Sequence, residues 1–385
     1  MINLKNKQDC CGCSACAQRC PKQCISMTED EEGFLYPQVD TSKCVDCHLC
    51  EKVCPVINQD EARTPLKVYA AKNSDDEIRL KSSSGGIFTL LAEQTIKDGG
   101  VVFGARYDKG WNVVHGYTET IEGLAAFRGS KYVQSNIKRS FFEVKRFLES
   151  GRKVLFSGTP CHVAGLKLFL RKEYDNLLTL EIACHGVPSP KVWHNYLTEL
   201  TDLNKISIIK SINFRDKKYG WNGYHFSATY INKNGKTVNM SMPHGDNPFY
   251  RGFLNHLYVR PSCYQCPAKS GRSKADITIA DFWGIDKLYP PLDDNKGYSI
   301  VCANTDKGLS YVLELCDTTY EMSYCEVVKY NPALIKSIKH NALSNKFWLS
   351  DAGVIKTVEC LCGDSLILKL KKKISRFLHK PIIYK

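Results

Sequence analysis

The chain has 385 residues, 43% of them hydrophobic, which is enough for a buried core, and it carries 19 cysteines and a formal net charge of +13. Ten cysteines precede residue 55 and the total is odd, which argues against a disulfide framework of the secreted kind. The start MINLKNKQDCCGC lacks the apolar core of a signal peptide, and no run of about 18 apolar residues offers a membrane span, so the sequence reads as a cytoplasmic protein with reduced or ligating cysteines. Residues 1–60 hold six Lys/Arg against nine Asp/Glu, a net of −3 that leaves +16 on the remainder. An acidic head on a basic body suits electrostatic docking of a protein partner. No nucleic-acid-binding motif accompanies the basic charge, so nucleic acid is not expected as a partner.

Within residues 1–60 two copies of one motif stand in series. They are Cys10-x2-Cys13-x2-Cys16-x3-Cys20-Pro21 and Cys44-x2-Cys47-x2-Cys50-x3-Cys54-Pro55. This spacing lets three thiolates of a short loop grip one face of a [4Fe-4S] cubane, while the cysteine before proline serves the other cluster. The expected sets are Cys10, Cys13, Cys16 and Cys54 on one cluster, and Cys44, Cys47, Cys50 and Cys20 on the second. Structural zinc also uses four cysteines, but in pairs of short knuckles rather than in tight threes followed by proline. The head is therefore read as an α+β ferredoxin-like 2[4Fe-4S] module. Cys11 and Cys24 are left over as buried small thiols. A two-cluster wire implies a further redox centre downstream.

After a polar linker at 60–65 (DEARTP) the pattern becomes an alternation of strands and helices. LKVYAA (66–71) and VVFGARY (101–107) read as strands around a helix IFTLLAEQTIK (87–97), which opens at Ser84-Gly85-Gly86. An amphipathic helix (138–150) precedes a buried-type strand KVLFSG (153–158). Thr159 and Pro160 then offer an N-cap and a first helical residue. LLTLEIAC (177–184) is a further buried-type strand, and the helix KVWHNYLTEL follows it. GYHFSATYI and KTVNMSM flank the turn signal Asn234-Gly235 in a β-rich insert. ADITIADFWG and GYSIVCAN return to the core. The expected architecture is an α/β domain with a mostly parallel sheet and a β-rich insert over residues 66–315, divided near 150. A helical extension is expected over 316–385. Its tail SLILKLKKKISRFL (365–378) has a basic amphipathic pattern that suits either core packing or peripheral contact with an anionic membrane.

Four later cysteines form a second constellation. Cys161 lies in the first turn of a helix, where a thiolate is stabilised, and Cys184 ends a strand. Cys263 and Cys266 form a knuckle before Pro267. Spacing leaves two readings open: one shared metal site, or two ordinary buried cysteines beside an unrelated zinc knuckle. Cys302, Cys316, Cys325, Cys360 and Cys362 show no ligand spacing.

The motifs SSSGGIF, GSKYVQSN, SGTPCHVAGLK, CHGVPSP, RPSCYQCP and ADITIADFWGI, in this order from Leu66 to about Leu315, resemble the coenzyme F-420 hydrogenase/dehydrogenase beta subunit family. A ferredoxin module is fused in front. The resemblance implies an FAD-dependent iron–sulfur oxidoreductase with a third [4Fe-4S] cluster on Cys161, Cys184, Cys263 and Cys266. It also implies flavin contacts at Ser84, Gly85, Gly86, Lys131, Tyr132, Gly158, Thr159 and Pro160. No G-x-G-x-x-G fingerprint supports FAD independently. His185 is the candidate catalytic proton donor, and a histidine bonded to backbone explains it as well. Arg215, Lys217 and Trp221 form either a rim for an anionic substrate or a solvated hairpin face. The expected partners are a ferredoxin-like donor and a small-molecule acceptor, either F-420-like or a polysaccharide-biosynthesis intermediate. The competing reading is an electron-relay subunit of a larger complex, and a homo-oligomer is also compatible with the sequence.

Overall fold

The structure, a computed structural model, describes residues 1–363, so the basic tail at 365–378 lies outside the described residues. The head forms a hairpin of β1 (Ile25–Glu29) and β2 (Leu35–Val39), flanked by short helices Ala15–Arg19 and Leu49–Lys52. Its core is small and built around cysteine: Cys16, Cys24 and Cys50 pack with Ile2 and Ile25.

The body is organised by one large sheet. Its strands are β3 (Lys67–Ala71), β4 (Val101–Tyr107), β5 (Val113–Thr118), β6 (Val154–Gly158) and β7 (Leu177–Ile182). A separate sheet contains β8 (Ile206–Asp216), β9 (His225–Asn232) and β10 (Thr237–Pro243). The large sheet is completed by β11 (Ile277–Asp281), β12 (Ser299–Ala303) and β13 (Thr319–Glu321), in the order β13-β3-β12-β11-β7-β6-β4-β5. Strands β4, β6, β7 and β11 run parallel at its centre, and antiparallel pairings flank them on both sides. The sheet is therefore mixed, with the expected parallel character confined to the central four strands. Every residue of β6 and β12 is buried, as continuous apolar runs covered on both faces require. The segment after residue 315 is not wholly helical, because β13 pairs with β3 before the helices Tyr324–Tyr330, Leu343–Trp348 and Val354–Cys362.

The insert is an antiparallel sheet in the order β10-β9-β8, and the β9–β10 turn places Gly235 at φ +75°. It packs through Phe214 and Phe226 against Trp193 and Tyr196 of the helix Pro190–Leu203. The end of β8 ties the insert to the main sheet. Arg215 donates to both carboxylate oxygens of Asp281 at 2.9 and 3.1 Å, with its side chain 1% exposed. Trp221 donates Nε1–H to the same carboxylate at 3.2 Å and stacks on Trp283. Lys217 donates to the carbonyls of Arg79, Ser84 and Lys296. The substrate-rim expectation for these three residues is thus overturned: they are buried braces, because the hairpin folds inward onto β11.

The head docks on the body through a buried arginine. Arg260 donates to the carbonyls of Cys10 (2.8 Å) and Leu35 (2.9 Å) and to Oε1 of Gln134 (2.9 Å). Its guanidinium lies over the rings of Tyr36 and Phe34. Gln134 in turn donates to the Cys11 carbonyl. Gly12 fits only because it lacks a side chain: its φ is +72°, and a Cβ would lie 2.7 Å from Gln134 Nε2 and 2.8 Å from Arg260 Nη1.

Two outcomes are expected. Gly12→Ala combines left-handed strain with a clash against Arg260, a cost of about 1–3 kcal/mol. It should loosen the head, read as faster proteolytic cleavage in the 60–65 linker at unchanged far-UV dichroism. Arg215→Met leaves the Asp281 carboxylate without its main partner and should cost about 3 kcal/mol in urea unfolding. The double variant with Asp281→Asn should recover most of that loss.

Candidate functional site

Strands β6 and β7 are parallel neighbours, so the turns leaving their C-terminal ends lie side by side. Cys161 enters from the first as the second residue of the helix Pro160–Leu170, behind Thr159 at the N-cap position. Cys184 follows the second. The chain from 257 to 266 is drawn alongside by the bridge between Pro188 and Val259 and by the bond from Arg260 N–H to the Val187 carbonyl. The turn Pro261–Gln265 then carries Cys263, with Cys266 directly after it. The four cysteines that spacing left unconnected therefore surround one small cavity, together with Cys11, Pro160 and Lys269.

The electrostatics of this cavity are those of buried thiols beside fixed cations. Burial pushes the Cys184 thiol up to about 12, with Lys269 opposing, and burial also raises Cys263 and Cys266. Cys161 is raised by its hydrogen bond to Cys11 and then by burial. Lys269, 5% exposed, donates to the carbonyls of Cys184 and Ala333, and its charge favours the thiolates of Cys184 and Cys266. Among the described residues, no three His, Cys, Asp or Glu side chains gather as a site for a single metal ion.

In the head, Cys13 and Cys16 feel the charge of Cys54, and Cys16 also feels that of Cys10 and Cys50. Cys20 joins Cys44, Cys47 and Cys50 around a second small cavity. Cys24 lines that cavity too, with its sulfur 3.3 Å from that of Cys20. Cys47 is exposed, whereas Cys13, Cys16 and Cys50 are buried. The other leftover thiol, Cys11, is placed between Cys13 and Cys161. Sequence spacing carried no signal for it, since it lies outside both motifs.

A larger, open cleft of about 250 Å³ lies at the C-terminal ends of β6, β7 and β11, where open α/β sheets build their sites. Of the residues singled out from sequence, Ser84, Gly86, Lys131, Tyr132, Gly158, Thr159 and His185 line it, and Pro160 lines the neighbouring thiol cavity instead. Residues 184–187 line both cavities and form their common wall.

Several expected contacts are used internally. Lys131 donates to the carbonyls of Phe127, Arg128 and Gly129, so its ammonium shapes that turn, while burial pulls it down to about 7. Gly85 donates its N–H to Ser299 Oγ, and a Cβ there would sit 2.6 Å from the Ala71 carbonyl oxygen, so it serves close packing. The Tyr132 ring meets Phe214, Tyr250 and Phe253, and its hydroxyl accepts from Arg215. His256 must donate Nδ1–H to the Lys339 carbonyl, so its Nε2 accepts from Nε2–H of His185 at 2.9 Å. Burial keeps His185 neutral, lowered to about 4. Two histidines that the sequence analysis did not single out, His115 and His162, also line this cavity.

The family model for the coenzyme F420 hydrogenase/dehydrogenase beta subunit N-terminus matches residues 68–140, and that for its C-terminus matches residues 151–331. A 4Fe-4S dicluster domain model matches residues 9–58. The head is 35% identical over 74 residues to a ferredoxin of Mycolicibacterium smegmatis, covering 18% of this chain and 65% of that protein. It is also 35% identical over 65 residues to a 7Fe ferredoxin of Hydrogenibacillus schlegelii, covering 16% of this chain and 77% of that protein. A chain of the xenon-derivatised F420-reducing [NiFe] hydrogenase complex from Methanosarcina barkeri aligns with 85% of this chain and 99% of its own length, at 18% identity and a TM-score of 0.44. Among the described residues no helix is long and apolar enough to cross a membrane. With a dicluster module in front and both halves of the beta-subunit domain behind it, the chain belongs to the coenzyme F420 hydrogenase/dehydrogenase beta subunit family.

Proposed function

We propose that this protein is an iron–sulfur flavoprotein oxidoreductase that takes electrons from a ferredoxin-like donor and delivers them to a small-molecule acceptor. The observation that carries this reading is the common wall: four half-buried cysteines line one cavity, and the residues from Cys184 to Val187 separate it from the large cleft. In this reading Cys10, Cys13, Cys16 and Cys54 hold one [4Fe-4S] cluster, and Cys20, Cys44, Cys47 and Cys50 the second. Cys161, Cys184, Cys263 and Cys266 hold a third. Thiols spread around a void suit a multi-iron cluster better than a single zinc ion, which needs its ligands gathered at about 2.3 Å from one point. FAD occupies the large cleft beside Ser84, Gly86, Gly158 and Thr159. Bound in these places, the clusters supply one-electron transfer and the flavin supplies hydride chemistry.

The chain's own residues do the rest. Arg260 and Lys269 offset the negative charge of thiolates in the buried cavity, which otherwise disfavours their ionisation. Ile87 and Phe253, both buried, keep water from the cleft. In this reading neutral His185 lines the cleft as the proton donor, its single N–H at Nε2 held by the half-buried His256 until an acceptor takes the proton. The head, whose residues 1–60 carry a net charge of −3, exposes Cys47 at the edge that faces the donor, and Asp46 and Glu51 beside it pair with the Met1 ammonium and His48. An F-420-like compound or a polysaccharide-biosynthesis intermediate fills the acceptor role. A cleft lined by apolar side chains and by His185, Ser84 and Thr159 beside the four-cysteine cavity favours this over a pure electron-relay subunit, which needs no second chamber.

Anaerobically purified protein should contain about twelve irons per chain, three cubanes of four. Cys263→Ser should lower that to about eight, measured by iron and sulfide assay; an unchanged content would rule out the third cluster. Acid extraction should release one FAD per chain, and cluster-loaded protein that releases none would rule out the flavoenzyme. Catalytic reduction of a deazaflavin or quinone-type acceptor by the isolated protein separates the enzyme from a relay subunit.

A further inference from the structure

Lys269 is a charged side chain that the fold keeps from water. It follows Cys266 and Pro267 on the same loop, is 5% exposed, and lines the four-cysteine cavity. A surface lysine turns its ammonium out to solvent. Here the ammonium is pinned from two sides. It donates to the carbonyl of Cys184, just past β7, and to that of Ala333 in the turn Pro332–Leu334.

Carbonyls satisfy hydrogen bonds but leave the charge uncompensated. Among the described residues Lys269 forms no ion pair with a carboxylate. Glu181 is the buried carboxyl group that feels its charge, yet Glu181 is held by Ser273 and Thr278 and feels Arg63 more strongly. Burial also raises Glu181, which weakens it as a counter-ion. The other groups on which the ammonium acts are the thiols of Cys184 and Cys266 and the neutral His185. A buried charge without a counter-charge is prohibitively costly, so the missing anion belongs in the cavity that those cysteines line.

We infer that Lys269 is the fixed counter-charge of the cluster held by Cys161, Cys184, Cys263 and Cys266, and that it directs electrons from the head toward the cleft. The inference rests on the third-cluster reading above and adds the order of potentials. Net charge is among the quantities that fix an iron–sulfur potential. A buried cation beside the third site stabilises its reduced, more negative form and so raises its potential. Arg260 lies near Cys10 and Cys263 alike, so its charge acts on the first and third sites together. The head around the first site is acidic, with a net charge of −3 over residues 1–60. Cys11 is the residue of the head that lines the four-cysteine cavity, and it packs with Cys13 and Cys161. The first site is therefore the near neighbour of the third. One electron lost by the first cluster is gained by the third, with no bond or proton exchanged. Lys269 is thus a positioning residue for charge rather than a catalytic one.

The test is a redox titration of full-length, cluster-loaded protein followed by electron paramagnetic resonance. Cys263→Ser supplies the spectrum without the third cluster. The wild type is compared with Lys269→Met, Lys269→Gln and Lys269→Arg. Glutamine keeps an N–H donor for the carbonyls and removes the charge, whereas arginine keeps the charge. The expected result is a lower midpoint potential for the third cluster in both neutral variants. A tenfold loss of its electron occupancy relative to the first cluster corresponds to about 59 mV for a one-electron couple. The head clusters should shift less, and Lys269→Arg should stay near the wild type. Loss of about four irons in both neutral variants with retention in Lys269→Arg also supports the inference, because charge is then what holds the cluster. A wild-type potential in either neutral variant, or loss of the cluster in all three, would overturn it and leave the third cluster standing. A wild type whose spectrum matches that of Cys263→Ser would overturn the third-cluster reading itself.

Discussion

The guanidinium of Arg260 is the interaction on which the rest of the structure depends. It is fully buried, and it reaches the first cysteine motif through Cys10, the head hairpin through Leu35, and the body through Gln134. Burying a charge without partners is prohibitively costly, so the head and body cannot separate without leaving this cation and three acceptors unsatisfied. Arg260 also precedes Pro261 and the turn that carries Cys263. One side chain thus sets the head against the body, and its own backbone delivers a cysteine to the buried four-thiol cavity. Its positive charge also opposes the rise that Cys11 and burial impose on the Cys161 thiol.

The arrangement of cavities follows from that docking. Gly165 of the helix behind β6 presses against Cys13, with room for no Cβ: one would sit 2.9 Å from the Cys13 sulfur. On the opening turn of the same helix, Cys161 faces the third cavity and His162 the large cleft. The helix Pro160–Leu170 therefore touches the first motif, the four-thiol cavity and the cleft within six residues. Cys11, between Cys13 and Cys161, closes the remaining gap. The exposed second motif stands at the opposite side of the head, around Cys47.

Much of this was legible in the chain because the relevant signals are local. The cysteine triplets, the Thr159-Pro160 helix start, the all-apolar strand at 154–158 and the Asn234-Gly235 turn each depend on neighbours within a few residues. The convergence of Cys161, Cys184, Cys263 and Cys266 was not legible from spacing, because it depends on β6 and β7 being adjacent and on the Pro188–Val259 bridge. Resemblance to a family supplied that grouping instead. Arg215, Lys217 and Trp221 were misread for a related reason. A basic and aromatic stretch looks like a surface until Asp281 and the carbonyls of Arg79, Ser84 and Lys296 are brought to it from distant strands and turns. Lys131 likewise was expected as a flavin contact from the resemblance, and its ammonium is taken up by three carbonyls a few residues upstream. The antiparallel partners β5 and β13 are short or half exposed, so their apolar pattern is weak.

The partition formed by residues 184–187 binds the history of the two chambers together. A bulkier residue at Gly186 would meet Val259 at 2.8 Å and Ile338 at 3.1 Å, so the divider can neither thicken nor slide without disturbing packing on its far side. The opposite rim of the larger chamber, along Ser82–Ser84 and Phe127–Gly129, has no such second chamber behind it, so a change of side chain there alters one cavity and leaves the other as it was.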